Sequence, residues 1–326
     1  MKKNNLMNKN NHINKNNHIN KNNHINKNFS ITVVIPTKNR HPDLLNFFDS
    51  LLKQSVLPDQ IIVIDQSDEN LSEASVRFKL GINKSSMLTY IYNTKIRGLV
   101  EAKSYSIQYN KSDLICFLED DEILEHDFLE HIVAGFTLNP EMNGCCGVIT
   151  NPPNKNFIYE LFFHLFHTGL YKDIRIGIFG YKNLKHQFFV SDKLSGGLSA
   201  WRKEVFSHIF FDVGNNLHFT EDIDFSSRVA LSFPNSLFIN TNAKLAHYFS
   251  KSNRFNHKDI YSNKVIENII YYKKRKQVPF ALFHLIWLLL GILLQSSLKT
   301  ITLFSLNPIC GYFFGLYKGA RFKVLN

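Results

Sequence analysis

Residues 114–122 read LICFLEDDE: five apolar or sulfur-bearing positions and then four acids in succession. An apolar run without alternation belongs to a strand covered on both faces, so this segment is a buried strand that ends on charge. Working outward, Ser30 to Pro36 (SITVVIP) is another such run, ended by the polar Thr37-Lys-Asn-Arg40. Leu44, Leu45, Phe47, Phe48, Leu51 and Leu52 then recur at helical spacing, and Gln60 to Asp65 (QIIVID) is a further apolar run closed by a carboxylate. Strand, helix and strand in this order predict a right-handed parallel crossover. Tyr90-Ile-Tyr, a polar loop around Arg97-Gly98, a helix from Leu99 to Tyr109 and the strand at 114–118 supply the next unit. The class is α/β, with a mostly parallel central sheet flanked by helices. Ligands in such sheets bind outside the carboxyl ends of the strands. Thr37 and Asn39, Asp65, and Glu119-Asp120-Asp121-Glu122 stand there.

Four adjacent acids repel one another unless something cationic sits among them. A hard divalent cation takes oxygen ligands and commonly pairs carboxylates with substrate phosphates, which makes Asp121 a candidate ligand. A helix starting near Glu122 would stabilise an acid by about 0.3–1 kcal/mol each, yet it accounts for one or two of them and not for the run. The sequence has neither GxGxxG nor GxxxxGK, so a bound diphosphate would be neutralised by metal and by basic side chains such as Arg97 and Lys103.

In the second half, Leu194 to Phe206 (LSGGLSAWRKEVF) places Gly196-Gly197 where backbone can approach a ligand closely. Thr220-Glu221-Asp222-Ile-Asp224 leads into a helix that includes Arg228. Asp222 at that junction reads equally as a general base and as part of a capping box. Ser236 to Phe249 reads as a strand pair with His247 near its end, a histidine that by itself is structural more often than a ligand.

The formal charge of +11 sits at the two ends, with six lysines in residues 1–28, eight Lys or Arg in 271–326, and no acid in either. Without these fourteen charges, residues 29–270 carry −3, so a nucleic-acid partner is not expected and a membrane surface is. Residues 1–28 contain KNNHIN three times in tandem and are expected to be disordered, with His12, His18 and His24 a product of the repeat. Lys273-Lys274-Arg275-Lys276 precedes an apolar run from Pro279 to Leu294, and a second run, Ile301 to Tyr317, precedes Lys318, Arg321 and Lys323. Basic clusters flanking two short apolar runs predict a hydrophobic helical hairpin at the cytoplasmic face of a membrane, either inserted or packed as an amphipathic pair on the globular part. Four cysteines with neither CxxC nor metal-ligand spacing, and no secretory leader ahead of them, agree with a reduced compartment.

The runs VVIPTKNR (33–40), SLLKQ ending at Gln54, VIDQS (63–67), RGLVEAK (97–103), FLEDDE (117–122), SGGLSAWRKEVF (195–206) and TEDIDFSSR (220–228), taken in order, resemble an inverting glycosyltransferase of family two with the GT-A fold, of the bacterial surface-polysaccharide type. The resemblance spans about residues 30–250. It implies a glycosyltransferase domain at 29–270, divided into a nucleotide-binding half (29–125) and an acceptor half (126–270), followed by membrane-associating helices at 271–326. Pro36, Thr37 and Asn39 would line the nucleotide, Asp65 would meet the base or ribose, and Arg97 and Lys103 would lie near the donor. Asp120 would contact the ribose. Asp121 would hold Mg²⁺ or Mn²⁺, with His247 as a further ligand. Glu119 stands where the family more often has aspartate, and Gln66 where many members have a second aspartate. Gly196, Gly197 and Trp201 would border sugar and acceptor; Asp222 would be the base and Glu221 its neighbour.

The implied reaction moves one sugar from a nucleotide-diphospho-sugar to a hydroxyl of a glycan or polyprenyl-linked acceptor with inversion, in cell-surface polysaccharide biosynthesis. No QxxRW follows TED, so single-residue addition is expected, with the Phe- and Tyr-rich segment between Asn151 and Val190 choosing the acceptor. A sugar nucleotidyltransferase would need a glycine-rich basic loop after the first strand, and PTKNR is not one. A non-catalytic, membrane-bound binder of nucleotide sugar or glycan is disfavoured by retention of both the acidic run and TED.

Overall fold

The computed structural model describes residues 29–152, 157–167, 186–215, 217–250 and 256–325. The expectation for residues 1–28 lies outside these, as does most of the 151–190 segment expected to choose the acceptor. Strands β1 (Ile31–Thr37), β2 (Gln60–Asp65), β3 (Leu88–Tyr92) and β4 (Leu114–Leu118) pair in parallel in the order β3-β2-β1-β4. Every residue of β1, β2 and β4 is buried, which is why these segments read as unbroken apolar runs. Helix α1 (His41–Leu51) starts with proline in its first turn and Asp43 beside it, and turns Leu44, Phe47, Phe48 and Leu51 onto the sheet. Helices α2 (Glu73–Leu80) and α3 (Leu99–Ser106) complete this half.

Beyond β4 the sheet is mixed. It continues through β8 (Leu198–Arg202), β6 (Gly144–Ile149), β9 (Leu237–His247) and β5 (Glu122–Leu124), with β7 (Phe188–Val190) also on β9. The β4–β8, β6–β8, β5–β9 and β7–β9 pairings are antiparallel and β6–β9 is parallel. Residues 236–249 hold one long strand instead of the expected pair. Its register against β6 shifts between Cys146 and Val148, and the irregularity lets one strand serve two partners on its other side. Helix α4 (Phe128–Leu138), helix α5 (Phe157–Phe166) and helix α6 (Glu221–Ser232) follow β5, β6 and β8 respectively.

Helix α7 (His257–Lys274), helix α8 (Ala281–Leu303) and helix α9 (Asn307–Arg321) build a second apolar cluster from Tyr261, Val265, Ile269, Leu285, Leu288, Ile292 and Tyr312. The expected boundary at 270/271 therefore falls inside α7. The expected hairpin forms as α8 and α9, joined by Phe304 to Leu306. Only α8 is long and apolar enough among the described residues to cross a membrane.

Candidate active site

The four acids after β4 take four different places. Glu119 is partly exposed, and its carboxylate lies 3.4 Å from His247 Nε2. Asp120 is buried and turns toward β1, where it accepts from Thr37 Oγ1 at 2.6 Å and from Arg40 at 2.9 Å. Asp121 accepts from the Ser250 N–H at 2.7 Å, lies 3.1 Å from His247 Nε2 and 3.4 Å from Arg40. Glu122 opens β5 and is fully buried, accepting from the Glu119 N–H at 2.9 Å. The helix considered for this point in the sequence begins later, at Phe128. Register delivers the histidine: Glu122 pairs with His247 across β5 and β9, which sets the imidazole beside Asp121. The ligand atoms of Glu119, Asp121 and His247 lie within 4.8 Å of one another, a spacing that one cation can span.

Burial and charge sort these acids. Burial lifts Glu122 well above its ordinary value, and the nearby Glu119 charge adds to the effect. Burial pushes Asp120 up to about 6 against the pull of Arg40 and Thr37. At Asp121 burial is outweighed by the hydrogen bonds from His247 and Ser250 and by the charges of His247 and Arg40, so its carboxyl is held below the usual range. The run is thus relieved by Arg40, by His247 and by the burial of Glu122, which disfavours its charged form. Two oxygen donors and an imidazole remain in position for a divalent metal.

Gly196 and Gly197 join this cluster to the start of α6. A Cβ on Gly197 would sit 2.5 Å from Glu119 Oε1, and one on Gly196 would sit 2.6 Å from Glu221 Oε1 and 2.8 Å from Lys103 Nζ. The glycines are needed because acidic side chains of the chain itself occupy that space. Lys103, fully buried, donates to Glu221 at 2.7 Å and to the Gly196 carbonyl at 3.0 Å. Burial raises the Glu221 carboxyl, Lys103 pulls it back, and Asp222 adds to the rise. Asp222 is half-buried, oriented by the Ile223 N–H at 2.7 Å and the Gly196 N–H at 3.3 Å. No capping box forms at Thr220. Instead Glu267 of α7 accepts the His218, Phe219 and Thr220 N–H groups at 2.7–2.9 Å and the Thr220 hydroxyl at 3.1 Å.

A sheet with this switch from parallel to mixed, an acid cluster at the end of β4 and a carboxylate at the head of α6 can be compared with known proteins. The sequence profile described as glycosyl transferase family 2 matches residues 32–210, more than half of the chain. The chain belongs to this family. Among solved structures it is similar to the mannosyltransferase PcManGT from Pyrobaculum calidifontis in complex with GDP-Man and Mn²⁺, with a TM-score of 0.58 and 12% identity over 90% of this chain and 87% of that one. It is also similar to GalNAc-T7 with UDP, GalNAc and Mn²⁺, with a TM-score of 0.56 and 15% identity over 77% of this chain and 51% of that one. These likenesses establish the GT-A type of fold. No curated protein sequence matches the chain.

In this family 2 chain the remaining expected residues divide into those at the strand ends and those withdrawn from them. Pro36 and Thr37 close β1, and Asp65, opposite Thr37 in the β1–β2 register, accepts from Tyr90 Oη at 2.6 Å and from the Ser67 N–H. Asn39, at φ 53°, ties the β1 loop to the β2 loop through Ser67 and Asp68; asparagine tolerates that backbone better than most residues. Arg97 is exposed on the loop before α3. Gln66 accepts the Gly98 N–H at 2.8 Å, so the residue that replaces the more usual aspartate holds this loop. One expectation is corrected. Trp201 is buried in the core, its indole N–H on Ser199 and its ring edge-on to Phe225, so it offers no face to an acceptor. Lys103 is buried beneath the surface and donates to Glu221 and Gly196. Asp120 accepts from Thr37 on one oxygen and from Arg40 on the other. Arg40 and Glu267 were not singled out by the sequence; Arg40 lay within the quoted PTKNR, whereas nothing local to Glu267 marks a residue that acts 47–49 positions away.

Proposed function

We propose that the chain is a metal-dependent, inverting, non-processive glycosyltransferase that uses a nucleotide-diphospho-sugar. The observation that carries this is the junction at Gly196-Gly197, which brings the Glu119, Asp121 and His247 cluster next to Asp222. A donor diphosphate and an acceptor hydroxyl can therefore meet between two carboxylate centres with different tasks. Glu119, Asp121 and His247 would hold the ion, which when bound offsets charge on the departing nucleoside diphosphate. Two carboxylates with an imidazole favour Mn²⁺ over Mg²⁺, which prefers an all-oxygen set. Asp222 takes the proton of the acceptor hydroxyl as its oxygen bonds to the anomeric carbon. The bond from that carbon to the diphosphate oxygen breaks on the opposite face, and one displacement inverts the centre. Positioned proton transfer of this kind contributes typically about 10²–10⁴-fold. Asp65 and Thr37, at the ends of adjacent strands, would receive the nucleoside.

The acceptor is proposed to reach the site from a membrane surface in glycan assembly. Helix α8 packs along one side through Leu285, Leu288 and Ile292 and exposes Phe283, Ile286, Leu290, Leu294 and Leu298 on the other. A helix fixed to the body in this way lies in the interface instead of crossing it, with the exposed Lys276, Lys318 and Lys323 available to anionic headgroups, whereas Lys273, Lys274 and Arg275 are taken up by the carbonyls ending α9 and by Asp212 and Asp224.

The test is donor hydrolysis by the full chain in detergent with UDP-, dTDP- and GDP-sugars, each with Mn²⁺, Mg²⁺ or chelator. One donor class should be hydrolysed slowly with Mn²⁺ and not by Asp121→Ala. Donor binding without any turnover in the presence of acceptor glycolipids would favour the non-catalytic reading instead.

A further inference from the structure

Arg40, on the loop between β1 and α1, stands between the two parts of the proposed donor site. Its Nη1 donates to Asp120 at 2.9 Å and lies 3.4 Å from Asp121 Oδ2. Asp120 in turn accepts from Thr37 Oγ1 at 2.6 Å, so a chain of contacts runs from Thr37 through Asp120 and Arg40 to Asp121. It starts at the strand end assigned to the nucleoside and stops at a residue assigned to the metal. In a nucleotide sugar the diphosphate joins those two places. Lys103, which the sequence offered for neutralising it, is 1% exposed and donates inward to Glu221 and the Gly196 carbonyl. The Arg40 side chain keeps 22% of its surface exposed, and a guanidinium matches phosphate oxygens as a two-pronged donor. Asp121 does not depend on Arg40 for its place. The same Oδ2 accepts the Ser250 N–H at 2.7 Å, and Oδ1 lies 3.1 Å from His247 Nε2. A metal ion and a guanidinium would therefore compete for one carboxylate that other groups hold still.

We propose that Arg40 is a ligand of the donor diphosphate that changes partners. Without a nucleotide it lies on Asp120 and Asp121 and weakens divalent-cation binding; when the diphosphate enters, the guanidinium turns to the phosphate oxygens and releases Asp121 to the ion. This rests on the nucleotide-sugar and metal reading above and adds to it a coupling between the two ligands. Two positive charges on one carboxylate repel, so the ion is held weakly until the diphosphate arrives. The coupling is reciprocal: whatever factor the diphosphate adds to the affinity of the ion, the ion adds to that of the diphosphate. A guanidinium that stayed in place would repel the ion by the same factor with and without diphosphate and would leave the coupling unchanged. One that moves enlarges it.

The test is isothermal titration of Mn²⁺ into the full chain in mild detergent, alone and with saturating UDP or GDP, and of each nucleotide without metal. In the parent, the nucleotide that binds should tighten Mn²⁺ by about tenfold or more. Arg40→Met should bind Mn²⁺ alone about tenfold more tightly than the parent, bind it equally well once the nucleotide is present, and bind the nucleotide without metal about tenfold more weakly. Arg40→Lys keeps the charge and should stay close to the parent toward Mn²⁺ alone. Asp120 is 2% exposed and loses its cation in Arg40→Met, so the comparison is repeated between Asp120→Asn and Asp120→Asn/Arg40→Met, where no acid is stranded and the tightening should have the same sign. Unchanged or weaker Mn²⁺ binding on loss of Arg40 would overturn the competition, and tightening of equal size with and without nucleotide would overturn the change of partners. Mn²⁺ bound by the parent, lost in Asp121→Ala and indifferent to Arg40 sinks this inference alone. Nucleotide binding with no Mn²⁺ bound by any of the chains sinks the metal reading, and this one with it.

Discussion

The Lys103 ammonium lies 2.7 Å from the Glu221 carboxylate, with both side chains withdrawn from solvent. Removing one partner leaves an uncompensated buried charge, and such losses run at about 3–5 kcal/mol. Lys103→Met and Glu221→Gln are each expected to destabilise the chain on that scale in urea denaturation. The double variant Lys103→Met/Glu221→Met should recover most of the stability, because no charge is stranded. It should not recover turnover: Lys103 also holds the Gly196 carbonyl, and the Gly196 N–H orients Asp222. In the proposed mechanism Glu221 is thus a positioning residue beside Asp222.

Alanine at the two adjacent glycines should give opposite phenotypes. At Gly197 the new methyl would meet Glu119 from Cγ to Oε1 at 2.5–2.8 Å, so this partly exposed side chain has to turn at χ1 to another rotamer. Gly197→Ala is expected to fold with little loss and to bind Mn²⁺ at least tenfold more weakly. At Gly196 the methyl would meet Glu221 and Lys103, which are buried and locked to each other. Overpacking of that kind costs about 1–3 kcal/mol, so Gly196→Ala should be the less stable of the two. Melting temperature and isothermal Mn²⁺ titration on both variants check the contrast.

Apolar continuity made the parallel half of the sheet legible, since β1, β2 and β4 are buried on both faces and their five to seven residues, rich in β-branched side chains, are too short for a buried helix. Asp121 and His247 could be paired only through the family resemblance, because their proximity is made by the β5–β9 register over 126 positions. The reading that something cationic must sit within the acid run was half the answer. Arg40, four residues past Pro36, contacts two of the four acids, and burial of Glu122 in the core disfavours its charged form. Trp201 misled for a physical reason: it sits in a motif whose glycines are at the site, but three residues further along β8 the side chain has passed into the core against Phe225.

The metal site predicts a ligand-dependent melting shift. A ligand that binds only the folded state at 100 times its dissociation constant adds about 2.7 kcal/mol. Mn²⁺ is expected to raise the melting temperature of the unmodified chain more than Mg²⁺ does, to leave Asp121→Ala unmoved and to move His247→Ala only slightly. Equal response to the two metals in His247→Ala and in the parent would take the imidazole out of the ligand set.

Glu267 carries a pH signature. Burial pushes its carboxyl up to about 7 despite the four hydrogen bonds it accepts. Because the folded value lies above the ordinary 4.5, the folded state binds the proton more tightly. The associated stability is full below about 4.5 and is lost as pH rises to about 7, an effect on the order of 3 kcal/mol. Glu267→Gln removes that titration and leaves some of the loop donors poorly met, at about 1–3 kcal/mol. Its deficit against the parent should therefore be largest near pH 5 and shrink toward pH 8, with turnover reduced at both because the loop leading to Asp222 is loosened. A deficit that does not change with pH would show that Glu267 does not titrate in this range.

The last helix is held by a seam of small residues. Gly311, Gly315 and Gly319 recur every fourth position of α9 and face α7, where a Cβ on Gly311 would strike the Lys258 carbonyl, one on Gly315 would sit 2.7 Å from the Ser262 carbonyl, and one on Gly319 would sit 2.6 Å from Ile269 Cδ1. Backbones can approach this closely only without side chains between them. Gly315→Leu is expected to lever α9 off α7, because at Ser262 the obstruction is backbone and cannot rotate aside. Since α7 also carries Glu267, which grips the loop before α6, displacement of α9 should be felt at Asp222. Limited proteolysis should then release residues 304–326 from the variant and not from the parent. Donor hydrolysis should fall with it, whereas Gly319→Ala, which meets a flexible isoleucine end, should retain both properties.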